Sequence, residues 1–202
     1  MEPGDLGVTE RRRAVALAGH LGDLAGARAG VADDDPSVRV TGLGALDRLG
    51  VLTGGDLRTA LADPVPQVRR RACELAANFP AVDLTSSLDD PDPSVVEMAA
   101  WSAGERRDTS TVPALIKLAS SASGHRDPLC REAAVAALGA IGDHAGLASV
   151  IAALEDKPAI RRRAAVALAA FDDPAVEPAL RRCLDDRDWQ VRQVAEDLLE
   201  VD

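Results

Sequence analysis

From Val38 onward, apolar and small residues return at spacings of four, three and four: Val38, Gly42, Ala45, Leu49. The same spacing recurs at Val68, Ala72, Leu75 and Phe79, and again at Cys130, Ala134, Ala137 and Ile141. It places each set on one face of an α-helix. The first apolar residue of each copy, taken as position 0, is Val38, Val68, Val95, Cys130, Ile160 and Val191, and successive copies lie 30, 27, 35, 30 and 31 residues apart. A period near 30 marks a solenoid, in which each unit buries its apolar face only by stacking on its neighbours. Position +4 is always small (Gly42, Ala72, Ala99, Ala134, Ala164, Ala195), which lets another helix approach closely.

Polar residues just ahead of each copy predict how these helices begin. Asp35, Asp92 and Asp127 stand at N-cap positions, where a carboxylate accepts orphaned backbone N–H groups, and Pro36, Pro93 and Pro128 follow at the first helical position. A further helical stretch precedes most starts: 56–63, 112–119, 146–156 and 176–186. The segment "RRRAVALAG" (11–19) echoes "RRRAAVALAA" (161–170), so the chain opens on one more second helix. The expected fold is all-α: a right-handed α-solenoid of stacked antiparallel helix pairs, about six plus an N-terminal half-repeat. Seven second helices and six first ones are expected, in a single domain spanning 1–202 with residues 1–7 as a flexible N-terminus. Three departures stand out. Arg106 occupies an apolar position, so that helix should stop near Gly104; residues 120–127 add turn residues; and Trp189 replaces the proline of the last copy.

The stretches "DPLCREAAVAALGAIGD" (127–143) and "KPAIRRRAAVALAAFDD" (157–173) resemble the repeating phrase of the bacterial HEAT-repeat family, particularly the short HEAT-like units of phycobilin lyases. The resemblance runs from about Val8 to the end. It implies the fold and says little of function, because such arrays serve unrelated roles. No cysteine or chromophore-binding residue transfers from it.

Composition narrows the classes. Hydrophobic residues make up 47% and aromatics only 2%, so the core must be built from Ala, Leu and Val. No apolar run approaches the roughly 20 residues of a membrane span. The start "MEPGDLG" is acidic where a signal peptide is basic, and the cytoplasm is the expected location. Cys73, Cys130 and Cys183 match neither a disulfide framework nor a metal pattern and read as small buried hydrophobes. The net charge of −10 argues against nucleic acid as partner.

Equivalent positions of a stacked array form rows. At +1, Arg11, Arg39, Arg69, Arg131, Arg161 and Arg192 make a row expected to reach capping aspartates or turn carbonyls of an adjacent unit. Positions +2, +6 and +9 are expected to face outward, as the concave surface does in HEAT arrays. The candidate partner-binding residues are Trp101 at the centre, with Arg70, Glu74, Glu97, Glu132 and Arg162 along these rows and Glu105 four residues after Trp101. A Trp among small and charged side chains has the makeup of an interface anchor, or it folds over a neighbouring helix.

Nucleotide-binding loops, nucleophile elbows and metal-spaced Cys or His pairs are absent, so no catalytic residue, metal or cofactor is expected. His20, His125 and His144 are scattered, and none is followed by the Glu that HEAT-repeat deoxyhypusine hydroxylases require. The expected function is a monomeric, non-enzymatic scaffold or adaptor that holds a protein or peptide. The alternative is an enzyme or enzyme subunit, of chromophore-lyase type or an alkylated-base DNA glycosylase using Trp101 and Glu105, which share a helical face. Trp189 would be the second aromatic of the latter, but it stands at a helix start, and the charge opposes DNA.

Overall fold

The computed structural model describes residues 7–199. The expected N-terminal extension therefore lies, Gly7 apart, outside the described residues. Among those residues every element is an α-helix or a short 3₁₀ turn, with no strand. The chain divides between Asp83 and Leu84 into two compact units. Unit 1 holds α1 (Val8–Leu21), α2 (Leu24–Val31), α3 (Pro36–Arg48), α4 (Gly54–Leu61) and α5 (Pro66–Leu75). Unit 2 holds α6 (Pro93–Glu105), α7 (Val112–Ala119), α8 (Pro128–Ile141), α9 (Leu147–Ala152), α10 (Pro158–Ala167), α11 (Val176–Cys183) and α12 (Trp189–Leu199).

The helix starts follow from local chemistry. Asp35, Asp92 and Asp127 accept hydrogen bonds from the backbone N–H groups of Ser37, Ser94 and Leu129 at 2.8, 2.9 and 2.9 Å. Proline occupies the first turn of α3, α5, α6, α8 and α10, and it also does so where Val65 and Lys157 supply no side-chain cap. Gly22 and Gly142 end α1 and α8 in the left-handed region, at φ 81° and 68°.

Packing repeats the pattern. In unit 1, α3 packs against α1, α2 and α5; in unit 2, α8 packs against α6, α7 and α10, and α12 against α10 and α11. All six position-0 residues are buried, as are the six at +4. A Cβ on Gly42 would lie 2.5 Å from the backbone nitrogen of Val31, so α3 rides directly on the α2 backbone. The three cysteines are buried. No described helix is long and apolar enough to cross a membrane.

Two expectations change. Of the six first helices, five are α-helices, and the one ahead of α6 is only the 3₁₀ turn Ser86–Asp89. That segment carries Thr85, Ser86 and Ser87 between Pro80 and Pro91, and such hydroxyls compete for backbone partners. Position +9 does not face outward where it is glycine. A Cβ on Gly19, Gly104 or Gly139 would sit 2.8, 3.0 and 2.9 Å from the Cα of Ala45, Ala137 and Ala167, each the +7 residue of the next second helix. Glycine at +9 is therefore a helix-contact position, whereas Ala169, at +9 of its copy, is exposed.

Candidate functional site

The arginine row is the most regular constellation. Arg39 donates through Nε and Nη2 to both carboxylate oxygens of Asp63, at 2.7 and 2.8 Å. Its Nη1 donates to the carbonyls of Asp33 and Asp34, at 3.0 and 2.9 Å. Arg131 grips Asp156 at 2.8 and 2.9 Å, and Arg161 grips Asp186 at the same distances. Arg11 is bound to Asp33 in the same forked manner, at 2.8 and 3.0 Å. Arg69 and Arg192 donate to the carbonyls of the turns leading into their own helices, those of Asp63 and Asp186 among them. Each full rung thus ties one helix's leading turn to the carboxylate of the following turn.

The aspartate gripped is not the capping one. Asp33, Asp63 and Asp186 stand two residues before the N-cap and accept in addition from the N–H of Asp35, Val65 and Asp188. The cap carboxylates are engaged by their own helices. The guanidinium of Arg131 holds Asp156 below its ordinary value of 3.8, against the opposing effect of burial, and Arg161 does the same for Asp186. With Arg131 7% and Arg161 4% exposed, these groups are spent on structure and have no reach toward a ligand.

The candidate partner-binding residues fall into two sets. In unit 2, Glu97, Trp101 and Glu105 succeed one another at four-residue steps on α6 and are all exposed, Trp101 at 45%. The opposite face of α6 (Val95, Val96, Ala99, Ala100, Ala103) is wholly buried, which fixes the indole outward. Between α8 and α10 lies a shallow apolar groove of about 360 Å³ lined by the +6 residues Ala136 and Val166 together with Gly139, Ala140 and Arg163. Glu132 lies 3.7 Å from Arg163. Arg162 is turned to the start of α12, where Gln190 and Asp188 engage it.

Arg70 and Glu74 belong to unit 1. They line an open groove of about 530 Å³ with Ala16, His20, Val40, Thr41, Gly44, Arg48, Gln67 and Arg71. Sequence reasoning missed Arg48, Arg71 and His20, because they stand at +10, +3 and +10, outside the rows expected to face outward. No group of three or more His, Cys, Asp or Glu able to hold a metal occurs among the described residues.

Comparison with known proteins decides the family. The model of the HEAT repeats family matches residues 55–124, 81–166 and 121–200. The chain is a HEAT-repeat protein. No curated protein sequence matches it significantly. Among solved structures it is similar to the complex of CpcE and CpcF of phycocyanin lyase from Nostoc sp. PCC7120, with 26% identity and a TM-score of 0.62 over 86% of this chain and 74% of that one. It is also similar to a designed armadillo repeat protein in complex with peptide (KR)4, at 17% identity and TM-score 0.60, covering 96% of this chain and 99% of that one. The second likeness concerns the fold alone. Both place this HEAT-repeat chain among α-solenoid scaffolds.

Proposed function

We propose that this HEAT-repeat protein is a non-catalytic, cytoplasmic scaffold or adaptor that holds a protein or peptide partner on the outward face of its second helices. The observation that carries this reading is Trp101. An indole left 45% exposed on a helix whose other face is sealed offers a large, rigid apolar surface, and Trp is among the side chains enriched at the centres of interfaces. Glu97 and Glu105 flank it one turn away on each side, and the groove at Ala136 and Val166 supplies further apolar area in the same unit. Glu132 and Arg162 are assigned to specificity within unit 2, and Arg70 and Glu74 within unit 1.

The test is affinity capture from the native cell with wild type and Trp101→Ala, read by mass spectrometry alongside the melting temperature. A partner retained by wild type and lost by the variant at unchanged melting temperature supports the assignment. Equal recovery by both removes it.

A second reading is favoured by one observation, the 26% identity to a lyase complex over most of this chain. In it the protein is one chain of a two-chain, chromophore-lyase-type assembly. Co-purification of another HEAT-repeat chain selects that reading, and a captured partner of unrelated fold rejects it.

A further inference from the structure

Several arginines of unit 1 are held by carboxylates. Arg11, Arg28 and Arg39 each face a carboxylate at 2.5–2.8 Å. The groove formed by α1, α3 and α5 breaks that habit. Arg48, Arg70, Arg71 and His20 line it against a single carboxylate, Glu74, which Arg71 engages at 2.8 Å. Arg48 and Arg70 are exposed and face no carboxylate within ion-pair distance among the described residues.

Arg48 has a structural reason to be where it is, since a cation in the last turn of α3 complements the helix dipole. Arg70 has the opposite problem. It stands in the first turns of α5, at the positive end of the helix, and neither its neighbour Arg69 nor Arg71 relieves it. Arg69 is bound to the carbonyls of Asp63 and Pro64 and Arg71 to Glu74, so both neighbours are compensated while Arg70 is left facing the groove.

The floor of the groove is kept low. Position +6 holds Ala16 and Gly44 here, and a Cβ on Gly44 would already lie 3.2 Å from Nη2 of Arg71. Gln67 adds a neutral donor, while the Thr41 hydroxyl donates to the carbonyl of Ser37 at 2.9 Å. The charge ledger of the chain sharpens the contrast. Unit 1 has ten basic against twelve acidic residues, and unit 2 has thirteen against twenty-one, so the net −10 resides mainly in unit 2.

We infer that the unit 1 groove is a docking site for an acidic peptide segment, whose carboxylates are taken by the guanidinium groups of Arg48 and Arg70 over the floor of Ala16 and Gly44. This rests on the protein being a protein-binding scaffold and assigns the chemistry of one partner segment. A long polyanion such as nucleic acid is disfavoured, because the cations end with the groove in a chain of net −10. A carboxylate-bearing peptide needs only the groove's few forked donors.

The probe is a fluorescein-labelled peptide of alternating Glu and Ala, titrated by anisotropy at about 50 mM salt, where screening of exposed charge is weak. The control is the same peptide with Gln for Glu. Saturable binding of the Glu peptide, at least about tenfold weaker in Arg48→Gln/Arg70→Gln and absent with the Gln peptide, is the expected result. Both arginines are exposed, so the variant should melt with wild type. Trp101→Ala keeps full peptide binding if the groove is the site, even if it loses the partner captured through α6. The inference is overturned by equal binding to wild type and the double variant, by equal binding of the Gln peptide, or by loss of binding in Trp101→Ala alone. It is also overturned if inorganic phosphate binds as tightly as the peptide. Sedimentation showing a dimer that the double variant dissolves would put a second copy of the chain in the groove and overturn it as well.

Discussion

Two adjacent helix junctions in unit 2 are held together by different means. Between α8 and α10, Arg131 reaches across to Asp156 through two short bonds, both side chains nearly out of solvent. Between α6 and α8 there is no such rung. Position +1 of α6 is the buried Val96, and the turn leading into α8 carries His125 where its counterparts carry Asp33, Asp63 or Asp186. Both ends of the rung are missing together. His125 keeps only the local duty, accepting from the N–H of Asp127 at 3.1 Å, while the thiol of Cys130 donates to the carbonyl of Pro93 at 3.3 Å across the junction. Burial pushes that thiol up to about 11 and keeps it protonated. The repeat therefore tolerates loss of its charged staple where apolar helix contact suffices, and that rungless helix is the one that carries Trp101.

The comparison breaks most sharply at Arg131. Arg131→Met leaves Asp156 buried without its partner, and loss of one member of a buried pair costs about 3–5 kcal/mol. Chemical denaturation should show that loss, whereas Val96→Ala at the rungless junction should show only the smaller loss of two methyl groups, about 1–2 kcal/mol. If Arg131→Met costs less than Val96→Ala, the rung is ornamental.

The same rung should govern the acid response. Asp156 and Asp186 hold their protons less tightly when folded than the ordinary value of 3.8, so the unfolded chain takes up more protons as the pH falls. Their contribution is present above about pH 4 and is lost as pH falls through the lower folded values. Melting temperature should therefore drop across that window in wild type and drop less in Arg131→Met. An unchanged acid slope would show that the pair does not titrate as the geometry requires.

A third measurement compares the glycines at +9. A Cβ on Gly139 would lie 2.6 Å from the Cβ and 2.9 Å from the Cα of Ala167, a clash that backbone must relieve. On Gly104 it would meet the Cα of Ala137 at 3.0 Å and nothing nearer. Gly139→Ala should then destabilise by about 1–3 kcal/mol, the usual range for overpacking. Gly104→Ala should cost less, because the higher helix propensity of alanine offsets part of a milder contact. The reverse order would show that α6 and α8, without a rung, are the less yielding pair.

How much of this was legible beforehand differs by feature. The period of about 30 and the small residues at +4 lie in single-helix spacing, so they can be read without knowing how helices meet. The arginine row was equally visible, but its carboxylate partners were not the caps, since a cap carboxylate is already engaged by its own backbone; they are aspartates four or five residues before position 0, Asp33, Asp63, Asp156 and Asp186. The outward assignment of +9 failed at the glycines because it depends on which residue of the next helix lies opposite. The unit 1 groove was hidden for the same reason. Arg48 and Arg71 sit at +10 and +3, on different helices, and only the packing of α3 beside α5 brings them to one surface.

Ser102 offers the finest probe of the rungless junction. It occupies +7 of α6, where other copies hold Ala45, Leu75, Ala137, Ala167 and Leu198. It is fully buried, and its hydroxyl has no hydrogen-bond partner among the described residues. A buried hydroxyl without a partner forfeits its hydration and receives nothing in return, so Ser102→Ala should stabilise the protein by about 1 kcal/mol, with a small further gain from helix propensity. For a chain of this size that is a rise of roughly 2–4 °C in melting temperature. The opposite sign would be equally informative. A serine inside a helix can bond back to the carbonyl four residues earlier, here that of Met98. A fall in melting temperature would mean that this bond forms in solution, and that the α6–α8 junction draws on a polar contact after all.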